Sequence, residues 1–166
     1  MSHCEPSNAG NIATEGKRRF ALIGNPNSGK STLFNALSGL SVKTGNYPGV
    51  TVAKHLGQTR AGDSTVFLED LPGTYSLDAI SPDEHVVVDV LSGAEETPDG
   101  LIIVLDSTTL QRSLGFLASV LARNIPAILV LTFADDLKRR GGPIYPIALG
   151  RSRRLPGLAG TPRGRQ

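Results

Sequence analysis

The stretch Gly24-Asn25-Pro26-Asn27-Ser28-Gly29-Lys30-Ser31 decides the fold. It fits G-x-x-x-x-G-K-[ST], in which glycines let the backbone curl until several N–H groups point at one phosphate. Just before it, Phe20-Ala21-Leu22-Ile23 is a short apolar run that stops at Gly24, as a buried first strand does. Just after it, Ser31 to Leu40 reads as a helix with Leu33, Phe34 and Leu37 on one face and Gly39 at its end. The helix aims its positive end at the same point. Gly24, Asn25, Pro26, Asn27, Ser28, Gly29, Lys30, Ser31 and Thr32 are therefore expected to cradle a nucleotide's phosphates. Lys30 reaches the β- and γ-phosphates, and the Ser31 hydroxyl suits Mg²⁺. The plainer alternative is a glycine-rich turn with an incidental lysine. It leaves the agreement of both flanks unexplained.

Outward from this loop, Thr44 to Gly49 reads as a loop on its Gly and Pro content. Strands are expected at Thr51 to Thr59 and Ser64 to Glu69, joined by a turn at Ala61-Gly62-Asp63. Ser81-Pro82-Asp83-Glu84 has the order of a helix start and should lead a helix to about Leu91. Leu101 to Leu105 is wholly apolar, as a central parallel strand is. Thr109 to Asn124 reads as helix with Leu114, Leu117 and Leu121 inward, ended by Pro126, and Ala127 to Thr132 as the next buried strand. Alternation of this kind predicts an α/β fold, a mostly parallel sheet with helices on both faces.

Asp70 follows the strand Thr65-Val66-Phe67-Leu68 and opens Asp70-Leu71-Pro72-Gly73. An acid at a strand end beside a phosphate loop can hold Mg²⁺ through water, and the Gly73 backbone N–H can meet a γ-phosphate. Asp106 is the competing acid, but Asp106-Ser107-Thr108-Thr109 before a helix fits capping better. Thr51 follows the loop. Spacing alone divides evenly between a threonine that closes over Mg²⁺ and γ-phosphate and one that merely opens a strand.

The 166 residues suit one domain, with 39% hydrophobic and 19% charged. The net charge of +2 hides an asymmetry. Through Arg140 the chain carries 12 Lys+Arg against 15 Asp+Glu, whereas residues 141–166 carry five Arg and no acid. The core is thus acidic and gives no basic face for nucleic acid. No apolar run approaches membrane-spanning length, and no signal-peptide core is visible at the N-terminus. The single Cys4 excludes an internal disulfide, which makes a reducing cytosolic compartment the default. No cluster of ligands for iron is visible; His3 with Cys4 is too small a set, and His55 and His85 are isolated.

Gly24 to Leu37 resembles bacterial GTPases of the ribosome-assembly and tRNA-modification group. Longer matches narrow this. Thr44-Gly45-Asn46-Tyr47-Pro48-Gly49-Val50-Thr51-Val52, Asp70 to Leu77, Ser81 to Glu84, Pro98 to Asp106 and Leu110 to Leu114 resemble the G domain of the ferrous iron transport protein B family. The resemblance covers roughly residues 18–143. It implies a Ras-like P-loop GTPase that binds GTP and GDP with Mg²⁺. It implies Lys30, Thr51 and Gly73 as catalytic residues, and Ser31, Thr51 and Asp70 around Mg²⁺. It also implies K⁺ at Asn27, a position with the plainer reading of a turn-forming asparagine. The family's membrane-transport domain, in the bacterial inner membrane, is the implied partner, with this domain on the cytoplasmic side. No direct iron site and no nucleic-acid partner are expected.

Two departures stand out. Where the family's guanine-reading motif follows the fifth strand, this chain has Thr132-Phe133-Ala134-Asp135. Asp135 keeps the acid that accepts from guanine N1–H and the 2-amino group, with Asp136 as a register alternative. Thr132 stands in the asparagine slot of the nucleotide-binding set. After residue 143 the chain turns to Gly, Pro and Arg without a Ser-Ala base loop, like a truncated or frame-shifted product. The expected organisation is a loose leader at 1–17, a GTPase domain at 18–143 without a normal last helix and strand, and a disordered basic tail at 144–166. The rival functions are a nucleotide-holding fragment with negligible turnover and a ribosome-assembly GTPase.

Overall fold

The computed structural model describes residues 17–39 and 41–141. In chain order the elements are β1 (Arg19–Gly24), α1 (Lys30–Ser38), β2 (Val42–Asn46), β3 (Ala53–Ala61) and β4 (Ser64–Asp70). They continue with α2 (Pro82–Ser92), β5 (Gly100–Asp106), a 3-10 turn (Ser107–Thr109), α3 (Leu110–Leu121), β6 (Ala127–Thr132) and α4 (Ala134–Arg139). The strands form one sheet in the order β2-β3-β4-β1-β5-β6. β4, β1, β5 and β6 run parallel, while β2 and β3 pair antiparallel and β3 joins β4 antiparallel.

The strand period of two divides the core between the two faces. Ala21, Ile23, Leu101, Ile103 and Leu105 meet Val86, Val87 and Val90 of α2 and Phe116, Leu117 and Val120 of α3. Leu22, Leu68, Ile102 and Val104 face Phe34 of α1 on the other side. Each fully buried aliphatic or aromatic side chain contributes about 1.5–3 kcal/mol of transfer free energy, so the central strands anchor the fold.

Several expectations shift. Thr44 to Asn46 are not loop but the second half of β2, paired residue by residue with His55 to Ala53. Backbone pairing at the sheet edge overrode the local glycine signal. Leu37 is exposed, and Ser38 takes the inner position on α1. A Cβ on Gly57 of β3 would stand 2.4 Å from the Ser38 Cβ, so α1 lies too close to the sheet there for a leucine. On α3 the inner stripe is Ser113, Phe116, Leu117 and Val120, with Leu114 and Leu121 exposed. That helix ends at Leu121, before Pro126 is reached. β6 is half-exposed rather than buried and is an edge strand among the described residues. The helix start at Ser81 is as read: its hydroxyl accepts from Glu84 N–H, and the Glu84 carboxylate accepts from Ser81 N–H. Residues 1–16 of the leader and the basic tail at 144–166 lie outside the described residues.

Candidate nucleotide site

Gly24, Asp70, Asp106 and Thr132 are the C-terminal residues of four neighbouring parallel strands, so all four arrive at one edge of the sheet. Ligands of open α/β sheets bind at such edges. Gly24 has no room for a side chain, since a Cβ would sit 2.2 Å from the Val104 carbonyl oxygen. The loop then turns through Asn27 at φ 61° and Gly29 at φ 81°, both left-handed, and enters α1 at Lys30. Asn27 is exposed, Ser28 is buried, and the Ser28 hydroxyl has no partner. Asn25 is tied sideways, its Nδ2 donating to Ser113 Oγ at 2.6 Å.

Lys30 is buried, and its ammonium donates to Asp70 Oδ1 and the Leu71 carbonyl. Ser31 Oγ stands 3.3 Å from Asp70 Oδ2. Lysine, serine and aspartate thus share one point at the head of α1. Pro26 packs against Gly73: a Cβ there would meet Pro26 Cα and N at 3.1 Å. The loop is also stitched to the next segment by Thr74 N–H donating to the Gly24 carbonyl at 3.2 Å. This donor set and close backbone fit the phosphates of a nucleotide and a hard cation held by oxygen.

Of the other expected residues, Thr132 reaches the phosphate loop and the rest stand apart from it. Thr32 is exposed on α1. Thr51 is exposed on a tight turn closed by Tyr47 N–H to the Val52 carbonyl at 3.0 Å. It hydrogen-bonds neither the phosphate loop nor Asp70. Asp106 caps the 3-10 turn, its Oδ1 accepting from Thr108 N–H and Oγ1. Thr132 Oγ1 lies 2.6 Å from the Ser28 carbonyl and 3.1 Å from that of Leu105. Asp135, in the first turn of α4, is exposed and pairs with Arg139 at 3.2 Å.

Sequence reading missed a buried charged group beneath this site. Glu69, fully buried, accepts from Arg19 Nη1 at 2.8 Å and Tyr47 Oη at 2.8 Å, and its Oε1 is 3.2 Å from Lys54 Nζ. Burial, and then the Glu69 carboxylate, push the Tyr47 phenol far up, so it stays a donor. Tyr47 precedes the Thr51 turn and Glu69 precedes Asp70, so the network joins both arms of the site. An acid directly after the apolar run 66–68 was the available signal. Glu84, expected only as part of a helix start, is a second centre. Its carboxylate accepts from Ile80 N–H at 2.9 Å and Ser76 Oγ at 3.0 Å, fixing the segment after Gly73. Those bonds, led by Ile80 N–H and then Ser81 N–H, hold its carboxyl below the ordinary range.

Among the described residues no group of three or more His, Cys, Asp or Glu could hold a metal ion. No helix among them is long and apolar enough to cross a membrane.

The profile of the family "Ferrous iron transport protein B" matches residues 18–155. The chain is 44% identical over 122 residues to an Fe(2+) transporter FeoB of Leptospira interrogans, covering 74% of this chain and 17% of that relative. It is 39% identical over 160 residues to the FeoB of Salmonella typhimurium, covering 86% of this chain and 20% of the relative. It therefore spans about a fifth of these relatives' length. The T. maritima FeoB G domain superposes with a TM-score of 0.69 at 41% identity, over 74% of this chain and 76% of that one. An S. thermophilus NFeoB variant bound to GDP gives 0.71 at 37% identity, over 76% and 49%. The chain belongs to the ferrous iron transport protein B family and has the Ras-like P-loop GTPase fold of its G domain.

Proposed function

We propose that this chain binds GTP and GDP with Mg²⁺, hydrolyses GTP with help from K⁺, and serves as the cytoplasmic nucleotide switch of a bacterial ferrous iron transporter. One observation carries the reading: Lys30, Ser31 and Asp70 converge at the head of α1, where a loop that turns left-handed at Asn27 and Gly29 enters the helix. Backbone N–H groups of Asn27, Gly29, Lys30 and Ser31 face the β-phosphate, that of Ser28 being given to the Asn25 carbonyl, and the Lys30 ammonium leaves Asp70 to meet the phosphate oxygens. The freed Asp70 carboxylate and the Ser31 hydroxyl would hold Mg²⁺, which would supply positive charge to offset that of the phosphates. Gly73 N–H donates to the γ-phosphate, and Thr51 closes over it when its turn folds inward. Asn27, exposed and left-handed, offers its side-chain oxygen to K⁺. Thr74 follows Gly73 where Ras has a glutamine, so orienting the attacking water falls to backbone groups of the loop and of Gly73. Asp135 accepts from guanine N1–H and the 2-amino group.

Steady-state phosphate release from GTP is the test, run with Mg²⁺ in K⁺ and in Na⁺ buffer. Turnover that needs Mg²⁺ and rises in K⁺ supports the reading. Tight GDP binding without turnover in either buffer would instead make the chain a nucleotide-holding module.

A further inference from the structure

We propose that Thr132 positions the phosphate loop and reads nothing of the base, which leaves the pocket blind to purine N7. The inference rests on the nucleotide reading above and deepens it.

A threonine hydroxyl has one hydrogen to give. Thr132 Oγ1 lies within hydrogen-bond distance of two carbonyl oxygens, Ser28 at 2.6 Å and Leu105 at 3.1 Å. Carbonyls only accept, so the single hydrogen is directed to one or shared between them. Nothing remains for a third acceptor. Purine N7 and guanine O6 are both acceptors and would need a donor. The other half of the side chain is engaged as well. A Cβ on Gly29 would lie 3.4 Å from Thr132 Cγ2, so the methyl group covers the left-handed turn of the loop.

One side chain thus ties the ends of β6 and β5 to the two loop residues that precede Lys30. An asparagine here would bring two N–H donors and could hold the loop and meet the base together. Threonine can do only the first. Asp135 is different in kind: it carries acceptors, and these suit the donors at N1 and the 2-amino group. Between the side chains of Thr132 and Asp135, base choice therefore rests on Asp135.

The experiment compares GDP with 7-deaza-GDP, in which carbon replaces N7, by displacement of a fluorescent GDP analogue from the full chain. Equal affinity, within about twofold, is expected, since no hydrogen bond is lost. GDP binding about tenfold tighter, the worth of one hydrogen bond, would overturn the proposal. Failure of both to bind overturns the nucleotide reading and this one with it. Thr132→Val should weaken GDP and 7-deaza-GDP by the same factor, about tenfold, and Thr132→Ser should restore both. A loss confined to GDP, or none for either, would overturn the positioning role. The comparison on the unaltered chain decides the matter even if Thr132→Val fails to fold.

Discussion

Replacing Asp70 by asparagine separates its two roles. Asp70 and Lys30 form a pair with side chains 9% and 8% exposed, so little solvent screens it. The Asp70→Asn side chain keeps the shape, and its amide oxygen can still accept from Lys30 Nζ. It loses the charge, which supplies about half the strength of such a bond, or about 0.75–1.5 kcal/mol. A buried ammonium without full compensation adds to that, within a ceiling of about 3–5 kcal/mol for outright loss of the partner. About 2 kcal/mol is a fair expectation for Asp70→Asn, or about a 6 °C fall in melting midpoint. The same weakening eases the transfer of Lys30 to phosphate. In EDTA, the variant should bind GDP more tightly than the unaltered chain, by a factor between about three and about thirty. Adding Mg²⁺ should strengthen GDP binding to the unaltered chain and leave the variant unchanged. Calorimetric titration in the two buffers measures all four affinities. Weaker GDP binding by Asp70→Asn in EDTA, or an undiminished Mg²⁺ effect, would refute the shared role of Asp70 as lysine partner and magnesium acid.

Thr51→Ala should leave the melting midpoint and GDP affinity nearly unchanged, since Thr51 is exposed, while phosphate release from GTP falls; an equal loss of GDP affinity would give Thr51 a structural role. Tyr47→Phe removes one donor from buried Glu69 and should lower stability by about 1.5–3 kcal/mol in urea titration. An unmoved midpoint would mean that Arg19 and Lys54 suffice. Glu84 has a carboxyl lowered from its ordinary 4.5, so the unfolded chain takes up that proton first as acid is added. Its contribution is complete above that value and shrinks as pH falls toward the folded group's own titration. Glu84→Gln should therefore flatten the acid side of a plot of melting midpoint against pH.

The parallel centre of the fold was legible because its signals are redundant. The apolar runs at 20–23 and 101–105, the glycine loop between strand and helix, and the Ser81–Glu84 box all agree with the packing. The sheet edge was not. Thr44, Gly45 and Asn46 carry loop chemistry yet pair with β3, because pairing depends on a strand distant from their own sequence. Helix faces were misjudged where a neighbour's size mattered: Ser38 is inward only because Gly57 lets α1 approach. At the site, Lys30, Ser31 and Asp70 were named by motif and do converge. Tyr47, Glu69 and Arg19 were passed over because their link runs across strands. The grip of Thr132 on Ser28 spans 104 positions, and no local pattern encodes it.

The central claim is that the Gly24–Ser31 loop binds nucleotide phosphates through Lys30. Titration of a fluorescent GDP analogue against the unaltered chain and Lys30→Ala, with the fold of each checked by circular dichroism, tests it most directly. Saturable binding by the unaltered chain and no detectable binding by a folded Lys30→Ala is the predicted result. Equal affinity of the two would contradict it.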